Sequence, residues 1–370
     1  MAEWLGTLED LAMNRMFWHT KKVFITGHTG FKGSWISLWL QLLGAQASGF
    51  ALQPPTSPSL FDLGEVSRGM HSQIGDIRDL PALQSAMKRE QPDIVIHMAA
   101  QPLVRYAYQN PVETFDTNVM GTVHVLEAAR HCDSVRVVLC VTSDKCYENR
   151  EWVWGYREND PMGGHDPYSG SKGCSELVVA AYRRSFFSSE RQDRHTAAIA
   201  SVRAGNVIGG GDWAKDRLVP DALKAFMESR PVCVRNPHAV RPWQFVLDPL
   251  AGYLRLVEKL WDSGGAFAEG WNFGPGDEDA RPVQWVVEKL AEFWSERASW
   301  QVAEGQHAHE AHYLKLDCSK AREHLQWKPR LSLTEALAWT VAWYRGFQDG
   351  KKMAILTKKQ ITDYEMLDRT

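Results

Sequence analysis

Long apolar runs are missing from this 370-residue chain. No stretch reaches the roughly 18 consecutive apolar residues that a membrane span needs, and the opening residues lack the basic, apolar and small-residue zones of a secretory leader. A cytoplasmic protein with no membrane partner is expected. A large charge of either sign is also missing, because 42 Lys and Arg against 45 Asp and Glu leave a net charge of −3. That balance gives no field for holding nucleic acid and no acidic tail. Cysteine is sparse and unpatterned: Cys132, Cys140, Cys146, Cys174, Cys233 and Cys318 show no paired ligand spacing, so free thiols and no metal are expected. There is no internal repeat and no low-complexity tract.

What is present starts with a glycine-rich turn. Thr26-Gly27-His28-Thr29-Gly30-Phe31-Lys32-Gly33 follows the apolar run Val23-Phe24-Ile25 directly and leads into a helical pattern over 34–43, closed by Gly44. A strand passing straight into a helix needs a tight turn at Gly27, bare backbone near Gly30 and a small residue at Gly33, while the helix N-terminus offers N–H groups to a pyrophosphate. Apolar strand-like runs at 23–26, 46–50, 94–98, 135–141, 197–202 and 271–273 alternate with helical segments through the first five. The pattern predicts an α/β fold, a Rossmann-like doubly wound parallel sheet, with a smaller C-terminal substrate-binding lobe. We expect an N-terminal extension over 1–19, a dinucleotide-binding domain over 20–206 to which 241–274 returns, and a lobe from 207–240 and 275–370.

Ligands of such sheets bind beyond the carboxyl ends of the strands. The segments there are 97–101, Thr142-Ser143-Asp144-Lys145 and Arg203-Ala204-Gly205-Asn206. Tyr168 and Lys172, four apart, share one helix face. A tyrosine–lysine pair at this spacing is common by chance, but with the glycine loop and Ser143 after a strand it suggests a nicotinamide cofactor beside a tyrosine base, with Lys172 lowering the phenol pKa. His97, in a buried-looking strand, reads as a packed core residue.

The segments 26–33, 142–147, 155–160, 166–172, 203–213 and 241–244 together resemble the extended short-chain dehydrogenase/reductases, and within them the nucleotide-sugar 4,6-dehydratases, nearest the CDP-glucose branch. The resemblance runs from about residue 20 to beyond 330. It implies a lyase that binds NAD and converts CDP-glucose to the 4-keto-6-deoxy sugar, in deoxysugar and O-antigen-type polysaccharide synthesis. It also implies a homo-oligomer, dimer or tetramer, built on helices near 118–130 and 168–187. For the cofactor it implies contacts from Gly27, Thr29, Gly30, Phe31, Lys32, Gly33, Asp76, Ile77, Ala99, Ala100, Gln101 and Asn118, besides Tyr168 and Lys172.

In that reading Tyr168 takes the 4-hydroxyl proton while Ser143 hydrogen-bonds the same oxygen. Asp144 protonates the departing 6-hydroxyl, which requires it to enter the step protonated, a state favoured by burial or a like-charged neighbour. Lys145 stands where dTDP-glucose relatives carry a glutamate base; the CDP-glucose branch is similar in having lysine, and the identity of the base stays open. Asn206 and Arg241 match diphosphate-facing positions, and Arg217 is a weaker candidate because charged runs are usually solvated.

Two features depart from the pattern. The second strand ends Ala51-Leu52-Gln53, with neither the acidic residue that marks NAD nor a nearby base for the 2′-phosphate of NADP, so looser NAD retention is expected. Phe245 stands where a histidine is expected, and would alter cytosine preference if it touches the nucleotide. The rivals are a 4-epimerase or GDP-mannose dehydratase on the same scaffold, and a non-catalytic NAD-binding sensor. Asp144 speaks against the epimerase, residues 209–213 against the GDP-mannose enzyme, and intact Ser143, Tyr168 and Lys172 against the sensor.

Overall fold

The computed structural model describes residues 13–187, 197–303 and 314–367. At its centre a seven-stranded sheet joins β1 Lys22–Thr26, β2 Gln46–Ala51, β3 His71–Ile74, β4 Ile94–His97, β5 Val137–Val141, β6 Ala198–Arg203 and β7 Gly270–Asn272 in the order β7-β6-β5-β4-β1-β2-β3. Every neighbouring pair is parallel. Strand order reverses between β1 and β4, which puts the topological switch point, and the expected ligand crevice, above β1. β4, β5 and β6 are buried along their whole length, which is why their sequences are continuous apolar runs rather than alternating ones.

Successive side chains divide the core between the two faces. Val23, Ile25, Ile94 and Ile96 pack with α1 (Phe31–Leu42) and α5 (Leu247–Ser263), whereas Phe24, Val95, Val138 and Ile199 pack with α2 (Leu80–Glu90), α3 (Gly121–Arg130) and Val179 of α4 (Pro167–Phe186). The helix read over 34–43 begins three residues earlier, at Phe31, because Gly30 is itself the N-cap; Gly44 sits at φ +82 just past its end, as expected. The strand read from residue 135 starts at Val137, because Val135 still belongs to the turn after α3 and donates to the Cys132 carbonyl.

Short two-stranded ladders lie outside this sheet: Val207–Ile208 with Gln244–Phe245, and Val240–Pro242 with Ala280–Pro282. Helix α6 (Leu333–Gln348) carries an aromatic cluster, and the last helix, α7 (Met353–Met366), packs back on the helices that cover the sheet. Tyr364 of α7 meets Trp39 of α1 edge-on at 5.7 Å and donates to Asp248 at 2.7 Å. Of the N-terminal extension, residues 1–12 lie outside the described residues. The short helix Arg15–Trp18 docks by burying Trp18, whose indole N–H donates to Glu258 at 2.6 Å. Among the described residues no helix is long and apolar enough to cross a membrane, and no cluster of ligating side chains would hold a metal.

Candidate active site

The glycine loop is as bare as its sequence requires. Gly27 has φ +78, and a Cβ on it would stand 2.6 Å from the Ala99 amide nitrogen; one on Gly33 would stand 2.0 Å from the Gly27 carbonyl oxygen. No larger residue fits either position without moving backbone. Thr29 sews the loop to the end of β2, its hydroxyl donating to the Leu52 carbonyl at 2.9 Å. Phe31 reaches the next loop, within 3.3 Å of a Cβ placed on Gly209. Lys32 is half-buried. Burial first, then Lys172 and Arg217, draw it down to about 8, against the pull of Asp144 and Asp212. Its ammonium therefore lies among the charges of the reacting centre. His28, unassigned by sequence, covers Gly49 and bonds Ser72 through Nε2 at 2.7 Å.

At the sheet edge Asp76 is gripped by Arg78, with Nε at 3.1 and 3.0 Å and Nη2 at 2.6 Å. Helix α2 is capped by Asp79 instead, so Asp76 serves neither as that cap nor as a free carboxylate. Ile77 is a core residue whose Cδ1 fills the space beside Gly121. Beyond β4, Asn118 is buried on a π-helical turn, Asp116–Met120. It accepts from the Gln101 amide at 2.8 Å and donates to the Gln101 carbonyl at 3.1 Å and to Ser171 at 2.9 Å. It thereby clamps the 99–101 loop, Ala99 and Ala100 included, to the helix that carries Tyr168 and Lys172. His97 bonds Thr26 at 2.7 Å and Thr122 at 3.1 Å and is pushed to about 3 by burial and Lys172, a core histidine as expected.

Ser143, Asp144 and Lys145 turn off the end of β5. The Ser143 hydroxyl accepts from the Lys145 amide at 3.2 Å and donates to Asp144 Oδ1 at 3.0 Å. Asp144 is 1% exposed, and Lys145 is half-buried. Tyr168 and Lys172 lie on the first turns of α4, capped by Asp166, which accepts from the Ser169 amide at 3.0 Å. Burial raises the Tyr168 phenol to about 12, opposed by hydrogen bonding to Ser143 and the charge of Arg217. Burial takes Lys172 itself down to about 8, against Cys146, Glu176 and Cys140.

Arg217, a weaker candidate in the sequence, comes close to Tyr168. Its guanidinium pairs with the buried Asp212 at 2.8 Å beside Tyr168, and this arrangement depends on the 209–213 loop. Gly210 lies so close under the Trp343 ring that a Cβ would meet it at 2.0 Å, and Trp213 packs on Tyr344 and Phe347 at 5.0 Å each. Arg241 lies in the ladder opposite Arg281 and donates to the Val240 carbonyl. Asn206 adopts φ +41, with its Oδ1 buried and without a hydrogen-bond partner among the described residues. Phe245 is fully buried, edge-on to Trp35 at 6.2 Å and Trp339 at 5.7 Å. It packs in the core, so the suggestion that it bears on nucleotide choice falls.

Sequence reasoning missed a buried ion pair. Glu176, one turn beyond Lys172, accepts from Arg203 at 2.7 Å, Thr142 at 2.5 Å and Ser201 at 2.7 Å. Arg203 also donates to the Tyr147 hydroxyl at 2.6 Å and the Glu158 carbonyl at 2.9 Å. The pair pins α4 to the ends of β5 and β6. Its only sequence signal is two charged residues inside otherwise apolar segments.

A parallel sheet with its glycine loop at the switch point, and a Ser–Tyr–Lys set beyond β5, define a dinucleotide-binding fold of the dehydratase and epimerase type. The chain belongs to the family described as GDP-mannose 4,6 dehydratase, whose model matches residues 24–340. It is 55% identical to a CDP-glucose 4,6-dehydratase of Salmonella typhimurium, over 95% of this chain and 98% of that protein. It is 25% identical to a dTDP-glucose 4,6-dehydratase of Haemophilus influenzae, over 73% of this chain and 81% of that one. Among solved structures, the dTDP-glucose 4,6-dehydratase of Bacillus anthracis in complex with NAD matches with a TM-score of 0.73 at 18% identity, covering 90% of this chain and 100% of that one. The UDP-glucose-4-epimerase of Stenotrophomonas maltophila with bound NAD matches with a TM-score of 0.76 at 21% identity, covering 89% and 99%. These two likenesses establish the fold.

Proposed function

We propose that the chain is an NAD-dependent CDP-glucose 4,6-dehydratase, yielding CDP-4-keto-6-deoxy-glucose. The observation that carries this reading is the 55% identity to the Salmonella enzyme over nearly the full length of both chains. The site supports it: Gly27 and Gly33 let the turn close against backbone where a Cβ would collide, and the helix N-terminus that follows at Gly30 suits a pyrophosphate. Bound there, NAD would accept hydride from C4 of the sugar and give it back at C6.

The chain's own residues handle protons. Tyr168 takes the 4-hydroxyl proton, and Ser143 holds that oxygen. With C4 a ketone, the C5 proton is acidic; Lys145 at the half-buried rim is the candidate to remove and return it. Asp144 gives a proton to the 6-hydroxyl, which leaves as water. The proton gained by Tyr168 equals the one lost by Asp144, and Ser143 lies between the two, so a turnover needs no outside acid. Arg217, Arg241 and Asn206 are assigned to the nucleotide diphosphate. Glycine-loop residues, Ala99 to Gln101 and Asn118 are assigned to the cofactor side, Asn118 by clamping rather than by contact.

The exposed apolar side chains Tyr108, Val112 and Phe115, with Leu177 on α4, support a homo-oligomer built on this face. A cytoplasmic location fits the free thiols. The test is incubation with NAD and, separately, CDP-glucose, dTDP-glucose and GDP-mannose. Conversion of CDP-glucose with loss of one water and no net reduced cofactor is the expected result. Conversion of none overturns the reading.

A further inference from the structure

Behind Asp144 the fold gathers buried polar atoms that the steps above leave unused. The carboxyl lies flat on Gly205, where a Cβ would stand 1.9 Å from Oδ2. Oδ1 accepts from Ser143, but Oδ2 is buried with no hydrogen-bond partner among the described residues. Gln244 rests on the same glycine: its Nε2 donates to the carbonyls of Gly205 at 3.1 Å and Phe273 at 2.9 Å. Two acceptors on one end fix which end of the amide is nitrogen. The Gln244 Oε1, able only to accept, is thereby buried without a donor. Tyr253, on the second turn of α5, is fully buried with its ring edge-on to Phe273 at 5.4 Å, and its hydroxyl is unpartnered too. Burial, and next to it the charge of Asp144, hold that phenol above its ordinary range, so the two groups feel each other. Orphaned buried donors and acceptors are costly, and these three are complementary.

We propose that Tyr253 is a positioning residue for Asp144. Its hydroxyl donates toward Gln244 Oε1 and accepts from the protonated Asp144 Oδ2, in each case through a bridging water or a small side-chain shift, since no direct bond joins them in the structure, keeping the group a carboxylic acid until the 6-hydroxyl takes its proton. The orientation follows from proton supply: the Gln244 oxygen claims the phenolic proton, and the phenol lone pairs then favour a proton, not a charge, on Asp144. Gly205 is required because any side chain there would push the carboxyl out of this chamber. The inference rests on the reading of Asp144 as the acid of elimination.

Tyr253→Phe keeps the ring on Phe273 and deletes only the hydroxyl. The expected result is an unchanged melting temperature, NAD affinity and KM, a kcat reduced about tenfold, within the range of general-acid effects, and reduced cofactor accumulating during turnover, read by its ultraviolet absorbance. The alkaline limb of kcat should move to lower pH. Gln244→Met, which frees the phenolic proton for the carboxylate, should move that limb the same way. An unchanged kcat with no accumulation, a limb displaced to higher pH, or a loss of stability and NAD binding in parallel overturns the proposal. Asp144→Asn separates the two readings. If it still eliminates at the parent rate, both fail; if it stops elimination while Tyr253→Phe is normal, the role of Tyr253 alone fails.

Discussion

Glu176→Gln tests whether the buried ion pair holds the catalytic helix in place. Glu176 and Arg203 have side chains only 4% and 5% exposed, so the substitution leaves a guanidinium in the interior without its carboxylate. It also disturbs acceptance from Thr142 and Ser201, while Arg203 Nε already has no partner among the described residues. Breaking one side of a buried pair costs about 3–5 kcal/mol, most of it from the charge left behind, and chemical denaturation should show a loss of that size. Because α4 carries Tyr168 and Lys172, kcat should fall as well. The pH dependence has a definite sign. Burial pushes Glu176 up, but the charge and hydrogen bond of Arg203, with Thr142 and Ser201, outweigh it and hold the carboxyl below its ordinary value. A depressed carboxyl contributes stability that is present above its unfolded value and lost as pH falls through the folded one. Wild type and variant should therefore converge in acid. Replacing both partners, as Glu176→Met with Arg203→Met, should recover part of the loss. A single variant within about 1 kcal/mol of wild type, the size of an exposed ion pair, would refute the argument.

Phe245→His should lower stability by about 2–4 kcal/mol, the scale of burying a poorly partnered polar group in place of a core aromatic. Its ratio of kcat/KM for CDP-glucose over dTDP-glucose should stay unchanged, and a changed ratio would put Phe245 back at the nucleotide. Gly33→Ala, whose Cβ would sit 2.0 Å from the Gly27 oxygen, should weaken NAD binding at least tenfold by calorimetry, with less effect on nucleotide-sugar affinity. Lys32 is held at about 8 by burial, so in the folded protein it binds fewer protons than in the unfolded chain between that pH and its ordinary 10.5. The resulting cost is full below about pH 8 and disappears toward 10.5. Lys32→Met should accordingly raise the melting temperature at neutral pH, with the gain shrinking as pH rises; a gain that grows with pH contradicts this.

The sequence made the dinucleotide half legible because its signals are local. Gly33 is demanded by a backbone contact within one βαβ unit and Gly27 by its positive φ, and the apolar runs of β4, β5 and β6 are long enough to read without partners. β3 is less legible, since an edge strand with no fully buried position carries little apolar signal. Arg217 was undervalued because its run, Lys215-Asp216-Arg217, looks solvated, and only the aromatic packing of Trp213, Trp343 and Tyr344 draws the preceding loop inward. Phe245 was overvalued for the opposite reason. Its place next to a conspicuous motif suggested a ligand contact, while Trp35 and Trp339, distant in sequence, decide that it is core.

The sequence by itself determined the order of strands and helices, the glycine cradle, and the residue types at the end of each strand, because backbone sterics and apolar periodicity act over a few residues. The tertiary structure alone decided which charges meet. It brought Lys32 and Arg217 among the charges around Asp144 and Tyr168, and set Gln244 and Tyr253 near Asp144. Electrostatics and desolvation depend on distances between segments far apart in the chain. Those distances exist only once the chain has folded.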